Sequence, residues 1–306
     1  MNEKTRAQIE AMKKQTIGVE VEMNNITREK AAKKIAKFFG TTAYYAASEY
    51  GYKTWACKDQ QGRVWKFQRD VSISGPDDEK CELVTPILTY DDIETLQEII
   101  RQLRHAGAKS TSSRGCGVHI HIGVGDHTPQ SLRNLVNIMA AHEQQIGKAI
   151  RLDAWRQSRY CQTVDPDFLK KLNCRKPKTF EAMKKLWYNG GDGSGQHYDS
   201  SRYHMLNLHA TWSKGTIEFR LFQFAERTEE RRGGLHAGEL KAYIQLCLAM
   251  SQLAKMLRTA SPKQQQDENP KYAFRCWMLR LGFIGEEFET ARKILLRNME
   301  GNASWR

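Results

Sequence analysis

The composition is that of a globular chain with enough apolar residues to build a sizeable core. It has 306 residues, of which 40% are hydrophobic and 27% charged, as is ordinary for a soluble protein. No apolar run approaches the length that spans a bilayer, and the polar N-terminus has no signal-peptide core. The seven cysteines form no CxxC pair, which is typical of reduced thiols and not of a disulfide framework or zinc ribbon. These features exclude a transmembrane protein and predict a cytoplasmic one.

Nearly half of the net charge of +13 at pH 7 lies in one region. Residues 151–185 carry ten basic side chains and only four acidic ones. A surface of this kind could attract nucleic acid, a nucleotide or an acidic substrate, and it could equally be a solvated helical face. Charge alone does not separate these interpretations.

Hydrophobic spacing and capping residues predict alternating helices and strands in the first half of the chain. The predicted elements are a lead-in helix over 3–15, a strand over 16–23, a helix from Thr27 to Gly40, a strand-rich stretch over 41–75, a strand from Cys81 to Pro86, a helix over 90–105, a strand over 117–123 and a helix that begins at Pro129. Within the strand-rich stretch, Trp65 to Ile73 alternate around Asp70. Thr27 is the expected N-cap of its helix, and Gly40 the expected stop.

The second half is predicted to be mostly helical. The predicted elements are an irregular helical region over 151–188, a loop over 189–195, paired strands over 202–207 and 215–224, a charged turn over 226–232, a long helix over 235–258, a polar linker over 261–269 and two final helices. The loop lacks the GxxxxGK[ST] pattern, and no GxGxxG occurs in the chain, so neither common phosphate-binding loop is predicted. The loop is either a surface loop or a mobile lid.

Several predicted strands have one apolar and one polar face. Residues two apart in a strand point the same way, so His119 and His121 share one face while Val118, Ile120 and Ile122 share the other. The same alternation occurs in three further predicted strands. The polar face of the first carries Glu20 and Glu22, that of the second Glu82, and that of the third Glu218 and Arg220. The pattern predicts a sheet whose polar face is a metal and phosphate site.

These motifs resemble those of the glutamine synthetase and glutamate–cysteine ligase superfamily, and most closely its amidoligase family. The matching segments are Gly18-Val-Glu20-Val-Glu22, Asp70-Val-Ser72 followed by Glu82-Leu-Val-Thr-Pro86, Gly117-Val-His119-Ile-His121, Arg202 followed by Asn207, and Glu218-Phe-Arg220. They occur in the family's order and span about 16–222. The resemblance therefore implies a catalytic domain over 1–260, with 261–306 as a helical extension packed on it.

The resemblance implies an α+β fold with a curved, antiparallel-rich sheet of the glutamine synthetase type. Helices would cover the apolar face, and the concave polar face would hold the active site. The implied activity is ATP-dependent ligation, in which a carboxylate is phosphorylated and an amine then attacks the acyl phosphate. The implied cofactors are ATP and Mg²⁺ or Mn²⁺, and the implied substrates are amino acids, peptides or cell-surface polymers. Oligomeric state is left open.

Residue roles follow from the same resemblance. It implies two metal sites, one formed by Glu20, Asp70 and Glu82 and the other by Glu22, His119 and Glu218. It implies that His121, Arg202 and Arg220 act on the phosphate groups as catalytic and nucleotide-binding residues, with Asn207 as a further nucleotide contact. Arg156 and Arg159 are weaker candidates for substrate contacts.

Two other functions are compatible with parts of the sequence. A metallohydrolase could hold Zn²⁺ with His119, His121 and a carboxylate, although the excess of carboxylates over histidines argues against it. A nucleic-acid-binding protein would explain the basic region, but no RNA- or DNA-binding motif is present. Single residues also have structural interpretations: Asp70 could cap its own turn, and His142, His204, His209 and Cys116 are interpreted as structural.

Overall fold

The computed structural model describes residues 2–47, 51–229, 232–264 and 268–304, which form eight strands and eleven α-helices. The strands are β1 (Ile17–Met23), β2 (Ala43–Ala46), β3 (Thr54–Lys58), β4 (Val64–Gln68), β5 (Cys81–Val84), β6 (Val118–Gly123), β7 (Leu206–Asn207) and β8 (Thr216–Phe222). The helices are α1 (Glu3–Lys13), α2 (Arg28–Phe39), α3 (Ile93–His105), α4 (Pro129–Ile150), α5 (Ala154–Arg159), α6 (Pro166–Arg175), α7 (Phe180–Trp187), α8 (His209–Ser213), α9 (Ala237–Met256), α10 (Pro270–Arg280) and α11 (Glu289–Leu296). The predicted mixture of helices with antiparallel strands is confirmed.

The chain divides into two compact units. The strand-rich unit comprises Thr16–Ile120 and Phe222–Lys241. The helical unit comprises Met1–Gln15, His121–Leu221 and Ala242–Arg306. Within the described ranges, none of the helices is both long and apolar enough to cross a membrane.

The strand-rich unit is built on strands in the order β2-β3-β4-β5-β1-β6. Helix α2 packs against β3 and β4, and α3 packs against α2. As predicted, the Thr27 side chain accepts a hydrogen bond from the Lys30 N–H, and Gly40 ends the helix with a left-handed φ of 69°. Ile35 of α2 and Trp65 of β4 are fully buried. Burial of a side chain such as Ile35 stabilises the folded chain by about 1.5–3 kcal/mol.

The helical unit is organised around the 22-residue helix α4, against which α6 and α11 pack. Pro129 occupies the first turn, where its missing N–H leaves no hydrogen bond unmade, and Thr128 forms a capping box with Ser131. The strands of this unit lie in the order β6-β8-β7, with β7 and β8 antiparallel. The two predicted C-terminal helices are confirmed as α10 and α11.

Two strand predictions were too long. The strand predicted over 202–207 is reduced to the two residues of β7, because His204 pairs instead with the segment at Gln162, where its Nδ1 donates to the Thr163 carbonyl oxygen at 2.7 Å. His209, interpreted as structural, begins α8. The alternating pattern around Asp70 also extends past the end of β4, so Asp70 lies in a turn. Parts of the stretches predicted over 41–75, 226–232 and 261–269 lie outside the described residues.

Glu143 makes the stability of the helical unit depend on pH. Its carboxylate is buried in α4 and accepts a hydrogen bond from the Val164 N–H at 2.9 Å. Burial raises the pKa of Glu143 from 4.5 to about 7, and the Val164 hydrogen bond only partly opposes this. The unfolded chain releases this proton at the ordinary pKa. The contribution of Glu143 to the unfolding free energy is therefore fully present below about pH 4.5, and it is lost as the pH rises to about 7.

We expect Glu143→Gln to remove this loss, because the amide oxygen can still accept from Val164 and carries no charge. The variant should match the parent at pH 4 and exceed its unfolding free energy by up to about 3 kcal/mol at pH 8. Urea unfolding at pH 4, 6 and 8 measures the difference, with Glu10→Gln, at an exposed site on α1, as control. An unchanged pH slope in Glu143→Gln would contradict the assignment.

Candidate active site

Carboxylates from neighbouring strands of the strand-rich unit lie on one face. The antiparallel register places Glu82 of β5 opposite Glu22 of β1 and also opposite Gln68 of β4. Glu20 lies two residues before Glu22 and therefore points to the same face. Glu22 and Glu82 are each only 5% exposed. Carboxylates removed from water in this way need protons, hydrogen bonds or cations to offset the cost.

His119 of β6 joins this row through the two glutamates of β1. Its Nδ1 lies 3.0 Å from Glu20 Oε2, and its Nε2 lies 3.8 Å from Glu22 Oε1. The Gly117 N–H donates to Glu22 Oε2 at 2.6 Å, which orients the Glu22 carboxylate. The imidazole is 5% exposed. The predicted grouping of His119 with acids of β1 is thus found in the structure.

Asp70 has both of the roles considered for it. Its Oδ1 accepts from the Ser72 N–H at 2.7 Å and from Ser72 Oγ at 2.6 Å, which is the local capping expected of an Asp in a turn. It also lies within reach of Glu22 and Glu82. The turn therefore holds the Asp70 carboxylate in a fixed direction beside the strand acids.

Two groups of side chains in this unit could each hold a metal ion. One group is Glu20, Glu82 and His119, and the other is Glu22, Asp70 and Glu82; within each group the ligand atoms lie within 4.8 Å of one another. The resemblance implies Asp70 with Glu20 and His119 with Glu22. In the structure Asp70 groups with Glu22 and Glu82, and His119 contacts both Glu20 and Glu22, so the division of these ligands between two ions stays a prediction. The register of β1 and β5 sets Glu82 directly opposite Glu22. Glu82 belongs to both groups.

The donor set fits a hard divalent cation. Four carboxylates and one imidazole offer mainly oxygen ligands, as Mg²⁺ and Mn²⁺ prefer. Neither group contains more than one histidine, whereas catalytic zinc sites commonly use two or three. The residues present thus fit Mg²⁺ or Mn²⁺ better than Zn²⁺.

The pKa of Glu82 shows that the acid cluster has too little positive charge nearby when no cation is bound. Burial raises the pKa of Glu82 well above its ordinary value, and the charges of Glu20, Asp70 and Glu22 raise it further. The hydrogen bond from Gln68 opposes these effects only in part. A divalent cation would reverse this balance, because it favours the ionised carboxylate that coordinates it.

Gln68 is a supporting residue that the sequence analysis missed. Its Nε2 donates to Glu82 Oε2 at 2.9 Å. This hydrogen bond orients the carboxylate that belongs to both groups of possible metal ligands. Residues that orient metal ligands in this way commonly affect metal affinity. The signal was present, because Gln68 lies two residues before Asp70 in the predicted strand and so belongs to its polar face.

In the helical unit, Glu218 and Arg220 of β8 form a buried ion pair. Glu218 is 1% exposed, and its other oxygen accepts from Asn207 Nδ2 at 2.7 Å. Asn207 Oδ1 in turn accepts from the His209 N–H at 2.8 Å, which fixes the orientation of the amide. The three polar residues predicted at the end of the motif series are therefore brought together. Whether Glu218 binds a metal stays a prediction.

The predicted phosphate-binding arginines differ in their surroundings. Arg220 Nε donates to the Tyr160 carbonyl oxygen at 3.4 Å, and its guanidinium lies 5.9 Å from the Tyr203 ring centre. Arg202 donates through Nη1 to the His197 carbonyl oxygen and lies 5.6 Å from the Tyr198 ring. Its buried Nε has no hydrogen-bond partner among the described residues. Arg202 therefore keeps a donor that an anion could use.

The other candidates have mainly structural contacts. His121 Nδ1 lies 2.9 Å from Thr216 Oγ1. Arg156 is 2% exposed and donates to the Arg220 carbonyl oxygen, so it supports the backbone of β8. Arg159 lies over the Trp155 ring. His142 stacks on Trp277 with 4.0 Å between ring centres, as its structural interpretation requires.

Comparison with known proteins identifies the family. Residues 13–251 match the model of the family described as "Putative amidoligase enzyme". The chain belongs to this family. The match covers more than half of the chain and every predicted site residue, and it confirms the resemblance found in the motifs. A ligase-type activity is thereby supported at the level of the family. No curated protein matches the sequence.

A similar solved structure is a bifunctional glutathione synthetase from Pasteurella multocida. The two share 12% sequence identity with a TM-score of 0.48, and the similarity covers 97% of this amidoligase chain and 49% of the synthetase. The chain thus spans about half the length of that protein.

The acid cluster predicts that Glu82→Gln is more stable than the parent protein when no divalent cation is bound. The amide carries no charge and needs no bound proton, so it avoids the cost of burying an acid beside like charges, and it keeps nearly the same shape. In EDTA at pH 7 we expect the unfolding free energy to rise by about 1 kcal/mol or more, which corresponds to about 2–4 °C in Tm. Thermal unfolding measures this change.

Addition of Mg²⁺ or Mn²⁺ should reverse the order of stability. The parent protein should gain about 2.7 kcal/mol at a cation concentration of 100 Kd, while Glu82→Gln should gain little. Glu94→Gln, at an exposed position on α3, is the matched control and should respond like the parent. Equal cation-induced shifts in the parent and in Glu82→Gln would contradict a metal site at Glu82.

The Asn207 amide should be needed to keep the Glu218–Arg220 pair in place. In Asn207→Ala, one buried Glu218 oxygen loses its donor and the His209 N–H loses its acceptor. We expect a loss of about 1–3 kcal/mol in unfolding free energy, measured by urea unfolding. Gln196→Ala, in the exposed loop before Arg202, should change it by less than about 0.5 kcal/mol. An unaltered stability in Asn207→Ala would show that the carboxylate finds another donor.

Proposed function

We propose that the protein is an ATP-dependent carboxylate–amine ligase that proceeds through an acyl phosphate. The observation that carries the proposal is the buried row of acids in the strand-rich unit, in which Glu82 lies within reach of Glu20, Glu22, Asp70 and His119. A structural core rarely collects like charges at this density without a cation. Membership of an amidoligase family supports a functional role for that cation.

In this proposal the acid cluster holds two Mg²⁺ or Mn²⁺ ions. Bound divalent cations neutralise the charge on nucleotide phosphates and on the phosphoryl group as it moves. Glu20 and His119 would bind one ion, Glu22 and Asp70 the other, and Glu82 would serve both. Gln68 keeps the Glu82 carboxylate oriented by its hydrogen bond.

Arginines of the helical unit are proposed to bind phosphate groups. A guanidinium matches phosphate oxygens with two donors at once, and Arg202 has an Nε donor without a partner among the described residues. Arg220 is held by Glu218 and by the Tyr160 carbonyl oxygen, which limits its rotation. A fixed arginine stabilises developing charge without a cost of reorganisation. His121 and Asn207 are proposed to assist at the phosphates.

The remaining parts of the proposal rest on family membership. The fold is proposed to be of the glutamine synthetase type, with 1–260 as catalytic domain and 261–306 as an accessory extension. The substrates are proposed to be amino acids, peptides or cell-surface polymers, and the location the cytoplasm. The zinc hydrolase has less support, because each ligand group of the strand-rich unit contains at most one imidazole.

Calorimetric titration of ATP with and without Mg²⁺ tests the proposal. The parent protein should bind ATP only when Mg²⁺ is present. Binding should weaken at least about tenfold in Glu82→Gln, which corresponds to about 1.4 kcal/mol. Glu94→Gln should bind like the parent. Absence of nucleotide binding with any divalent cation would overturn the proposal.

Arg220 needs a conservative substitution, because it is buried against Glu218. Truncation of one partner of a buried pair costs about 3–5 kcal/mol, so Arg220→Ala could lose activity by unfolding. Arg220→Lys keeps the charge and removes the planar fork of donors. Phosphate release from ATP with mixed amino acids should fall in Arg220→Lys while circular dichroism stays unchanged. Undiminished release would remove Arg220 from the reaction.

A further inference from the structure

The basic region contains a groove that the proposed ligase chemistry does not use. It lies in the helical unit and consists of two cavities of about 230 and 470 Å³. Both cavities are lined by Lys171, Leu186 and Asn189, so they are neighbouring parts of one depression between α6 and α7. We call this depression the α6–α7 groove.

The two ends of the groove differ in charge. The smaller cavity is lined by Asp165 and Asp167, at the start of α6. The larger cavity is lined by Arg175, at the end of α6, and by Lys185 of α7. Asp165 accepts from the Phe168 N–H, whereas Asp167 has no polar partner within the part of the chain that the structure describes. The groove therefore has an acidic end with a free carboxylate and a basic end.

The walls of the groove are apolar and aromatic. Phe168 and Trp187 line the acidic end with their ring centres 5.1 Å apart, and Trp187 Nε1 donates to Ser201 Oγ. Pro177 and Leu186 line the basic end. The indole is thus fixed by packing and by a hydrogen bond. A rigid aromatic wall between two opposite charges suits a ligand with an apolar middle.

We propose that the α6–α7 groove binds a short peptide with its free N-terminal ammonium at Asp167 and acidic residues at Arg175 and Lys185. Asp167 and Arg175 are eight residues apart on α6, roughly 12 Å along the helix axis. An extended peptide advances about 3.3–3.6 Å per residue, so three or four residues span this distance. The charges of such a peptide match both ends of the groove.

A nucleic acid or another polyanion fits less well. Phosphates repeat along a nucleic acid, so its binding surface is lined by cations throughout. Here Asp165 and Asp167 would repel phosphates at one end. Simple solvation of a basic helix also leaves the concave shape and the aromatic wall unexplained. The bipolar lining favours a ligand that is itself bipolar.

Calorimetric titration with the tetrapeptide Ala-Leu-Glu-Glu at low salt tests the proposal in the full chain. Arg175→Gln/Lys185→Gln should weaken its binding at least about tenfold. Lys170→Gln/Lys178→Gln removes the same charge from α6 and the segment that follows it, outside the lining of both cavities, and should change the affinity less than about twofold. The low salt concentration keeps these interactions measurable.

The N-terminal ammonium is tested by acetylation of the same peptide. Acetylation should weaken binding to the parent protein at least about fivefold and have little effect in Asp167→Asn, because the partner of the ammonium is then absent. Since no nucleotide is present, a failure of the proposed ligase function leaves these results unaffected. Three outcomes overturn the proposal: no binding at millimolar peptide, equal weakening in the two double variants, or tighter binding of an oligonucleotide of equal charge.

Discussion

The concentration of carboxylates on one strand face is the constraint on which the strand-rich unit depends. Alternation along β1 directs Glu20 and Glu22 to the same side, and pairing with β5 adds Glu82 opposite Glu22. Buried like charges oppose folding, and apolar residues on the other face, such as Val19 and Val21, compensate by burial. The unit thus keeps an arrangement that is costly without a cation. Local conflicts of this kind are expected at functional sites.

The helical unit also buries an acid, but there an arginine of the same strand balances its charge. Glu218 is neutralised within the protein by Arg220 and receives a second hydrogen bond from Asn207. Such a pair with satisfied hydrogen bonds holds its members in one geometry. A preorganised arginine suits the stabilisation of charge, whereas a cluster of several acids with one imidazole, as in the strand-rich unit, suits the binding of metal. The two units thus bury glutamates in different electrostatic surroundings.

Alternation could be predicted from the sequence, and register could not. Residues two apart in a strand share a face whatever the partner strand, so the polar faces with His119 and with Glu20 were found from spacing alone. Register depends on contacts between strands distant in sequence, so the sequence did not reveal that Glu82 lies directly opposite Glu22 and belongs to both groups of possible ligands. The same reason explains His204, whose partner, the Thr163 carbonyl, lies far away in the chain.

In the basic region over 151–185, the contacts separate cations that form ion pairs from cations that do not. Some of its cations are compensated locally: Lys184 pairs with Asp192 at 2.7 Å, and Lys185 lies 4.0 Å from Glu181. Arg175 and Lys178, in contrast, form no ion pair within the described ranges. Repulsion between such unpaired cations destabilises the folded state, so we expect them at positions where a ligand or solvent offsets the repulsion. The groove beside Arg175 distinguishes it from Lys178, because only a concave surface can exclude water around a bound charge and strengthen the interaction.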